Sequence, residues 1–211
     1  MGLVGAAMLA AALPLALSPT LQVAAAEGPC DIFDAAPEHT PCVAAHSTVR
    51  ALYGSYTGPL YTVLRNDSVS TNVSVLAGTA IADGAAQDAF CGASGCVITR
   101  VFDQSKYGNH LDLALCGSRG QGCQKGALRD VAVNAKSEKL TLSGHPAYGM
   151  RFESGSGMGY RIDNTTGVAR GNDPETILAV FNGHHFNGCC CFVRATAWSS
   201  THSLASAQPH N

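Results

Sequence analysis

The chain has 211 residues, 46% hydrophobic and only 13% charged, with a formal net charge of -2. That length suits one domain with a real core, and charge well below the roughly one quarter common in globular domains suits a secreted protein kept soluble by hydroxyls, amides and glycans. Its 13 Lys and Arg are scattered and form no basic stripe to neutralise phosphates, which argues against nucleic acid as a partner.

Residues 1–26 read as a signal peptide. The segment is apolar and ends in Ala24-Ala25-Ala26, with cleavage expected near Glu27. Pro14, Ser18 and Pro19 interrupt the run before it reaches the about 20 apolar residues of a spanning helix. A secreted, extracellular protein with no membrane contact after cleavage is the expectation. Sequons at Asn66-Asp67-Ser68, Asn72-Val73-Ser74 and Asn164-Thr165-Thr166 make Asn66, Asn72 and Asn164 candidate glycosylation sites in that compartment.

Nine cysteines point to an oxidising environment. Cys30 with Cys42 and Cys91 with Cys96 are the preferred local pairs, each closing a short loop rich in turn-forming residues. Cys116 and Cys123 form a third possible loop. Paired zinc-knuckle spacings are missing, so no metal and no cofactor are expected.

In chain order, residues 38–56 read as one short helix, with Thr40 as cap, Pro41 at its first position and an apolar face of Val43, Ala44, Ser47, Ala51 and Leu52. His46 and Arg50 on it are read as structural. Residues 60–65 and 73–76 are short β-prone runs, and 80–90 is a short helix or loop. Residues 96–102 form the strongest strand, dense in β-branched side chains. Residues 103–110 are a polar turn. Strands at 140–142 and 147–152 flank a Ser-Gly-His-Pro connection, and 177–181 is another apolar strand. Many short strands, Gly-rich turns and one early helix argue for a single all-β domain, a β-sandwich. The glycines of 155–161 lead into turn-forming sequence rather than a helix, which argues against a phosphate-binding loop.

Cys189, Cys190 and Cys191 stand in a run after Gly183-His184-His185-Phe186-Asn187-Gly188. A disulfide between chain neighbours closes a strained ring, a device kept for a site more readily than for stability. From Thr176 to Asn211 there is no Asp or Glu, so the carboxylates that would act on a bound substrate are missing beside this platform.

Separated motifs in one order resemble the catalytic domain of the B-type α-L-arabinofuranosidases of fungi and actinobacteria, glycoside hydrolase family 54. They are Gly28-Pro29-Cys30-Asp31-Ile32, residues 40–53, Ile81-Ala82-Asp83, Gln87-Asp88-Ala89-Phe90-Cys91, Phe102-Asp103-Gln104-Ser105, Gly108-Asn109-His110-Leu111, Gly157-Met158-Gly159-Tyr160-Arg161 and His185-Phe186-Asn187 with Cys190-Cys191-Phe192. The resemblance implies a concanavalin-like β-sandwich and retaining removal of terminal L-arabinofuranose from arabinan and arabinoxylan. It implies a vicinal disulfide, Cys190–Cys191, against the furanose ring, and disulfides Cys30–Cys42 and Cys91–Cys96. The expected partner is an arabinose-containing plant cell-wall polysaccharide, met by a monomer.

In that family both catalytic carboxylates lie downstream of the vicinal cysteines, and no position here matches either. Asp83, Asp88, Asp103 and Glu153 are the tempting upstream substitutes, and each reads as structural. After Phe192 the sequence leaves the family's pattern. The domains expected are therefore 1–26 signal peptide, 27–192 N-terminal part of the catalytic domain, and 193–211 an aberrant, disordered tail. The expectation is an arabinofuranosidase by family whose chain as given is inactive. The alternative is a non-catalytic, lectin-like arabinose-binding protein.

Overall fold

The computed structural model describes residues 27–35, 37, 39–115, 128–153 and 156–182. The described residues open with helix α1 (Pro29–Ala35). Proline suits the first helical turn, where its missing N–H would be unpaired anyway. Asp31 accepts from the backbone N–H of Gly28 at 2.8 Å and of Gly54 at 2.5 Å, and Cys30 N–H donates to the Leu52 carbonyl at 2.9 Å. Gly28 lies so close to that carbonyl that an added Cβ would sit 2.1 Å from its oxygen.

Strands β1 (Pro59–Arg65), β2 (Ser70–Ser74), β3 (Cys96–Val101) and β4 (Leu111–Leu113) follow, with helix α2 (Gly84–Cys91) between β2 and β3. Strands β5 (Glu138–Leu142), β6 (His145–Gly149) and β7 (Tyr160–Arg161) complete the set among the described residues. Five strands pair in the order β2-β1-β3-β4-β7 and β5 pairs with β6, every ladder antiparallel. The fold is all-β, the antiparallel sheets of a β-sandwich with two short helices. The β5–β6 hairpin turns through Ser143 and Gly144, both at positive φ (48° and 82°), the geometry of a two-residue turn matched to strand twist.

The inner face of the large sheet carries the core: Leu60, Tyr61, Val63, Val73, Ile98 and Val101 are buried, with Ala82, Cys91, Cys96 and Ala135 against them. Helix α2 is started by Asp83, which accepts from Ala86 N–H at 2.9 Å. It sends fully buried Gln87 into the core. There Tyr61 Oη donates to Gln87 Oε1 at 2.6 Å and Gln87 Nε2 donates to the Ala135 carbonyl at 2.9 Å. Disulfides Cys30–Cys42 and Cys91–Cys96 are formed, as the loop argument and the family resemblance both anticipated.

Two expectations are corrected. Residues 39–56 hold no helix; the early helix is α1, and Thr40 N–H bonds back to Phe33 rather than starting a turn. Distant side chains take the amides a helix would need. Ala45 N–H goes to Asp103 and Leu52 N–H to Gln104, both at 2.7 Å, while Ser47 Oγ holds the N–H groups of Val49 and Arg50. Tertiary partners override local propensity here. Likewise residues 177–181 form no strand and join no ladder among the described residues, and Val180 is 93% exposed. β-propensity without a neighbouring strand to pair with builds no sheet.

Candidate functional site

The polar turn after β3 is a buried knot. Asp103, 4% exposed, accepts from Ala45 N–H at 2.7 Å and Ser105 N–H at 2.9 Å on one oxygen. Its other oxygen accepts from Ser105 Oγ at 2.6 Å and Asn109 N–H at 2.8 Å. His46 Nε2 donates to the Asn109 carbonyl at 2.6 Å, and His110 Nδ1 accepts from Asp103 N–H at 3.0 Å. Burial depresses the His46 pKa, outweighing the Asn109 carbonyl and the Asp103 charge that favour its protonated form. With every lone pair engaged, Asp103 organises its turn, as its position in Asp-Gln-Ser suggested.

The other candidate carboxylates are equally committed. Asp83 caps α2. Asp88 accepts from Tyr148 Oη at 2.6 Å and pairs with Lys136 at 3.4 Å and Lys139 at 3.5 Å. Partial burial works against its charge, yet the tyrosine bond and the two ammonium groups hold its pKa below the ordinary value. Glu153 pairs with Arg151, which also reaches Glu138 at 2.9 Å. Each of these four is held by partners of its own, whereas retaining glycoside hydrolysis uses a facing pair of carboxylates about 5 Å apart. Arg50 bonds the neighbouring Ala51 carbonyl at 3.0 Å, a structural role as expected.

Sequence reading missed a polar row across the outer face of the large sheet. Asn72, Thr62, Arg100, Asp112 and Arg161 are successive Cα partners from β2 through β1, β3 and β4 to β7, and directly opposed residues share a face. Thr62 Oγ1 donates to Asn72 Oδ1 at 2.8 Å, and Arg100 grips Asp112 through two N–H groups at 2.6 and 2.8 Å. The Arg100 hydrogen bonds draw the Asp112 pKa down, against partial burial. Arg161 pairs with Asp163 at 2.6 Å. One polar residue near the middle of each short strand was the available signal, legible only once register is known.

This row ends in an open groove of about 390 Å³ walled by Arg100, His110, Asp112, Arg129, Arg161, Asp163 and Asn164. A second groove of about 540 Å³ lies by Cys42, with Tyr53, Tyr56, Gln104 and Lys106 on its walls. Both tyrosine hydroxyls there turn to carbonyls, Tyr53 to Cys42 at 3.2 Å and Tyr56 to Pro59 at 2.6 Å. Among the described residues no group of three or more His, Cys, Asp and Glu could hold a metal ion, and no helix is long and apolar enough to cross a membrane. Cys190 and Cys191, expected as the substrate platform, their neighbour Cys189, and Cys116 and Cys123 lie outside the described residues, as do residues 1–26.

Comparison with known proteins gives one consistent result. The family model for the catalytic part of α-L-arabinofuranosidase B matches residues 29–207. A probable α-L-arabinofuranosidase B of Aspergillus terreus is 45% identical over 177 residues, 83% of this chain and 34% of the relative. An α-L-arabinofuranosidase of Hypocrea jecorina is 45% identical over 168 residues, 79% of this chain and 32% of the relative. The chain thus spans about a third of the length of the curated relatives it matches. A crystal structure of an arabinofuranosidase complexed with arabinofuranosyl-α-1,2-xylobiose superposes with a TM-score of 0.61 at 44% identity, covering 67% of this chain and 28% of the other. A family 54 α-L-arabinofuranosidase soaked with a cyclic sulfate inhibitor gives the same TM-score, 0.61, at 45% identity and the same coverage, 67% and 28%.

Proposed function

The chain belongs to the α-L-arabinofuranosidase B catalytic family, and on that premise we propose that it forms the N-terminal part of a catalytic domain built for retaining hydrolysis of terminal L-arabinofuranose on arabinan and arabinoxylan. The family match over residues 29–207 carries this reading. The related structure with an arabinofuranosyl-xylobiose supports the polymer class. In such a reaction one carboxylate attacks the anomeric carbon, while a second protonates the leaving oxygen and then activates water.

The described residues are assigned the scaffold rather than the bond-breaking step. Asp83, Asp88, Asp103 and Glu153 are spent on a helix cap, a tyrosine and two lysines, a turn, and an arginine. Cys190 and Cys191 are assigned the apolar platform for the furanose ring, and the two nucleophile and acid/base roles go to no residue of this chain. The chain by itself is therefore inactive in this reading, a secreted monomer acting on plant cell-wall polysaccharide, with residues 1–26 as its export signal.

The test is release of 4-nitrophenol from 4-nitrophenyl α-L-arabinofuranoside by the purified chain, with calorimetric titration of L-arabinose alongside. No release is expected, together with arabinose binding that is lost in Cys190→Ser/Cys191→Ser. Turnover would overturn the assignment of inactivity. Failure to bind arabinose at all would overturn the platform.

A further inference from the structure

The three sequon asparagines stand in three different surroundings. Asn66 Nδ2, the atom a glycan would occupy, donates to the Ser94 carbonyl. Asn72 lies on edge strand β2, its Oδ1 accepting from Thr62. Asn164 is exposed, its side chain bonds no described residue, and it stands in the wall of the 390 Å³ groove. Its loop is held from within. Asn109, 1% exposed, accepts from Thr166 N–H at 2.8 Å and donates to the Thr166 carbonyl at 2.9 Å. The Asn-x-Thr tripeptide is thus presented on an anchored segment with the acceptor asparagine exposed at the groove wall.

We propose that Asn164 carries an N-linked glycan whose first sugars lie in this groove and cover the β7 edge of the large sheet. The inference rests on the export reading above, since N-glycans are added in the secretory route. The groove suits the chemistry of such sugars. N-acetylglucosamine offers hydroxyls that both donate and accept, and an acetamide carbonyl that accepts. The walls supply both complements: the Arg100–Asp112 and Arg161–Asp163 pairs, and Arg129, which holds the Leu113 carbonyl at 2.9 Å and whose charge also acts on Asp112. A volume of about 390 Å³ falls at the small end of the range for ligand sites.

Attachment removes the affinity problem. A tethered sugar meets the groove at an effective concentration of order millimolar, so a few weak hydrogen bonds hold it. The location also has a physical use. Among the described residues β7 is an edge strand of two residues, and an uncovered edge is a template for pairing with another chain. Asn72, on the opposite edge strand and outside the groove, is the internal comparison.

The experiment is secretion of the whole chain from a eukaryotic host, glycopeptide mass spectrometry at the three sequons, and timed removal of glycans by a peptide N-glycosidase before and after denaturation. Asn164 is expected to be occupied, and its glycan to leave the native protein at least about tenfold more slowly than the denatured one. Arg129→Ala should narrow that gap without lowering the melting midpoint. Equal native and denatured rates at Asn164, or no change in Arg129→Ala, would overturn the seat in the groove. Occupancy at Asn72 with none at Asn164 would overturn the site and leave export standing. Occupancy nowhere would overturn both.

Discussion

Two apolar runs of similar composition meet opposite fates in this molecule. Cys96–Val101 becomes the central strand β3, with Cys96, Ile98 and Val101 each no more than 3% exposed. Residues 177–181, Ile-Leu-Ala-Val-Phe, form no strand, with Ile177 54%, Leu178 64%, Val180 93% and Phe181 63% exposed. The difference is what surrounds them. β3 is bonded by β1 on one side and β4 on the other, and Ile98 N–H reaches the Val133 carbonyl at 2.9 Å. Its start is tied to α2 by the Cys91–Cys96 disulfide. The second run has no ladder among the described residues. Burial here follows pairing and tethering, not the apolar content of the segment.

The sharpest test of that contrast is truncation at one position in each run. Ile98→Ala should cost about 3–4 kcal/mol, the lost transfer energy of the side chain plus the cavity left in a packed core. Ile177→Ala should cost almost nothing. Denaturant unfolding of the two variants measures both.

A step smaller is the polar bolt behind β1. Gln87→Leu removes the acceptor for Tyr61 Oη and the donor for the Ala135 carbonyl, both in the buried core. Two stranded polar groups should cost about 2–4 kcal/mol. Adding Tyr61→Phe should recover part of the loss, because the orphaned hydroxyl leaves with it. No recovery in the double variant would mean that the cost is one of packing alone.

The knot around Asp103 should show itself through pH. His46 is held with a depressed pKa by burial, so the folded state binds fewer protons than the unfolded state as acid is added. Stability from this group is complete above its unfolded value of 6.5 and is lost as pH falls below that value toward the folded one. Unfolding free energy should therefore decline as pH falls below 6.5. In His46→Gln the amide can still donate to the Asn109 carbonyl, and that part of the slope should vanish. An unchanged slope would assign the dependence to groups other than His46.

How much of this was legible beforehand varies with the range of the forces involved. β1 and β3 are strong local patterns and were found close to their true bounds. The pairs Cys30–Cys42 and Cys91–Cys96 close short loops and were equally local. The segment around His46 was misread because its amides are claimed by Asp103 and Gln104, more than 50 residues away, as with Ala45 and Leu52. The row from Asn72 to Arg161 was invisible for a related reason. Its members are neighbours only through four strand registers, and a shift of one residue in any of them would turn a side chain to the other face. Asp103 was read correctly because the Asp-Gln-Ser turn satisfies part of its carboxylate within the sequence itself.

The smallest effect is predicted at Val180. Lysine there meets solvent at a position already 93% exposed, so Val180→Lys should change unfolding free energy by no more than about 0.5 kcal/mol. It should still change behaviour in concentrated solution. The run from Ile177 to Phe181 contains no charge and no proline, which is the pattern that pairs between chains when a strand lies uncovered. A single ammonium in its middle should raise the soluble fraction after prolonged incubation while the melting midpoint stays in place. A loss of more than about 1 kcal/mol would mean that this run is covered in solution. The two apolar segments would then differ in what buries them, not in whether they are buried.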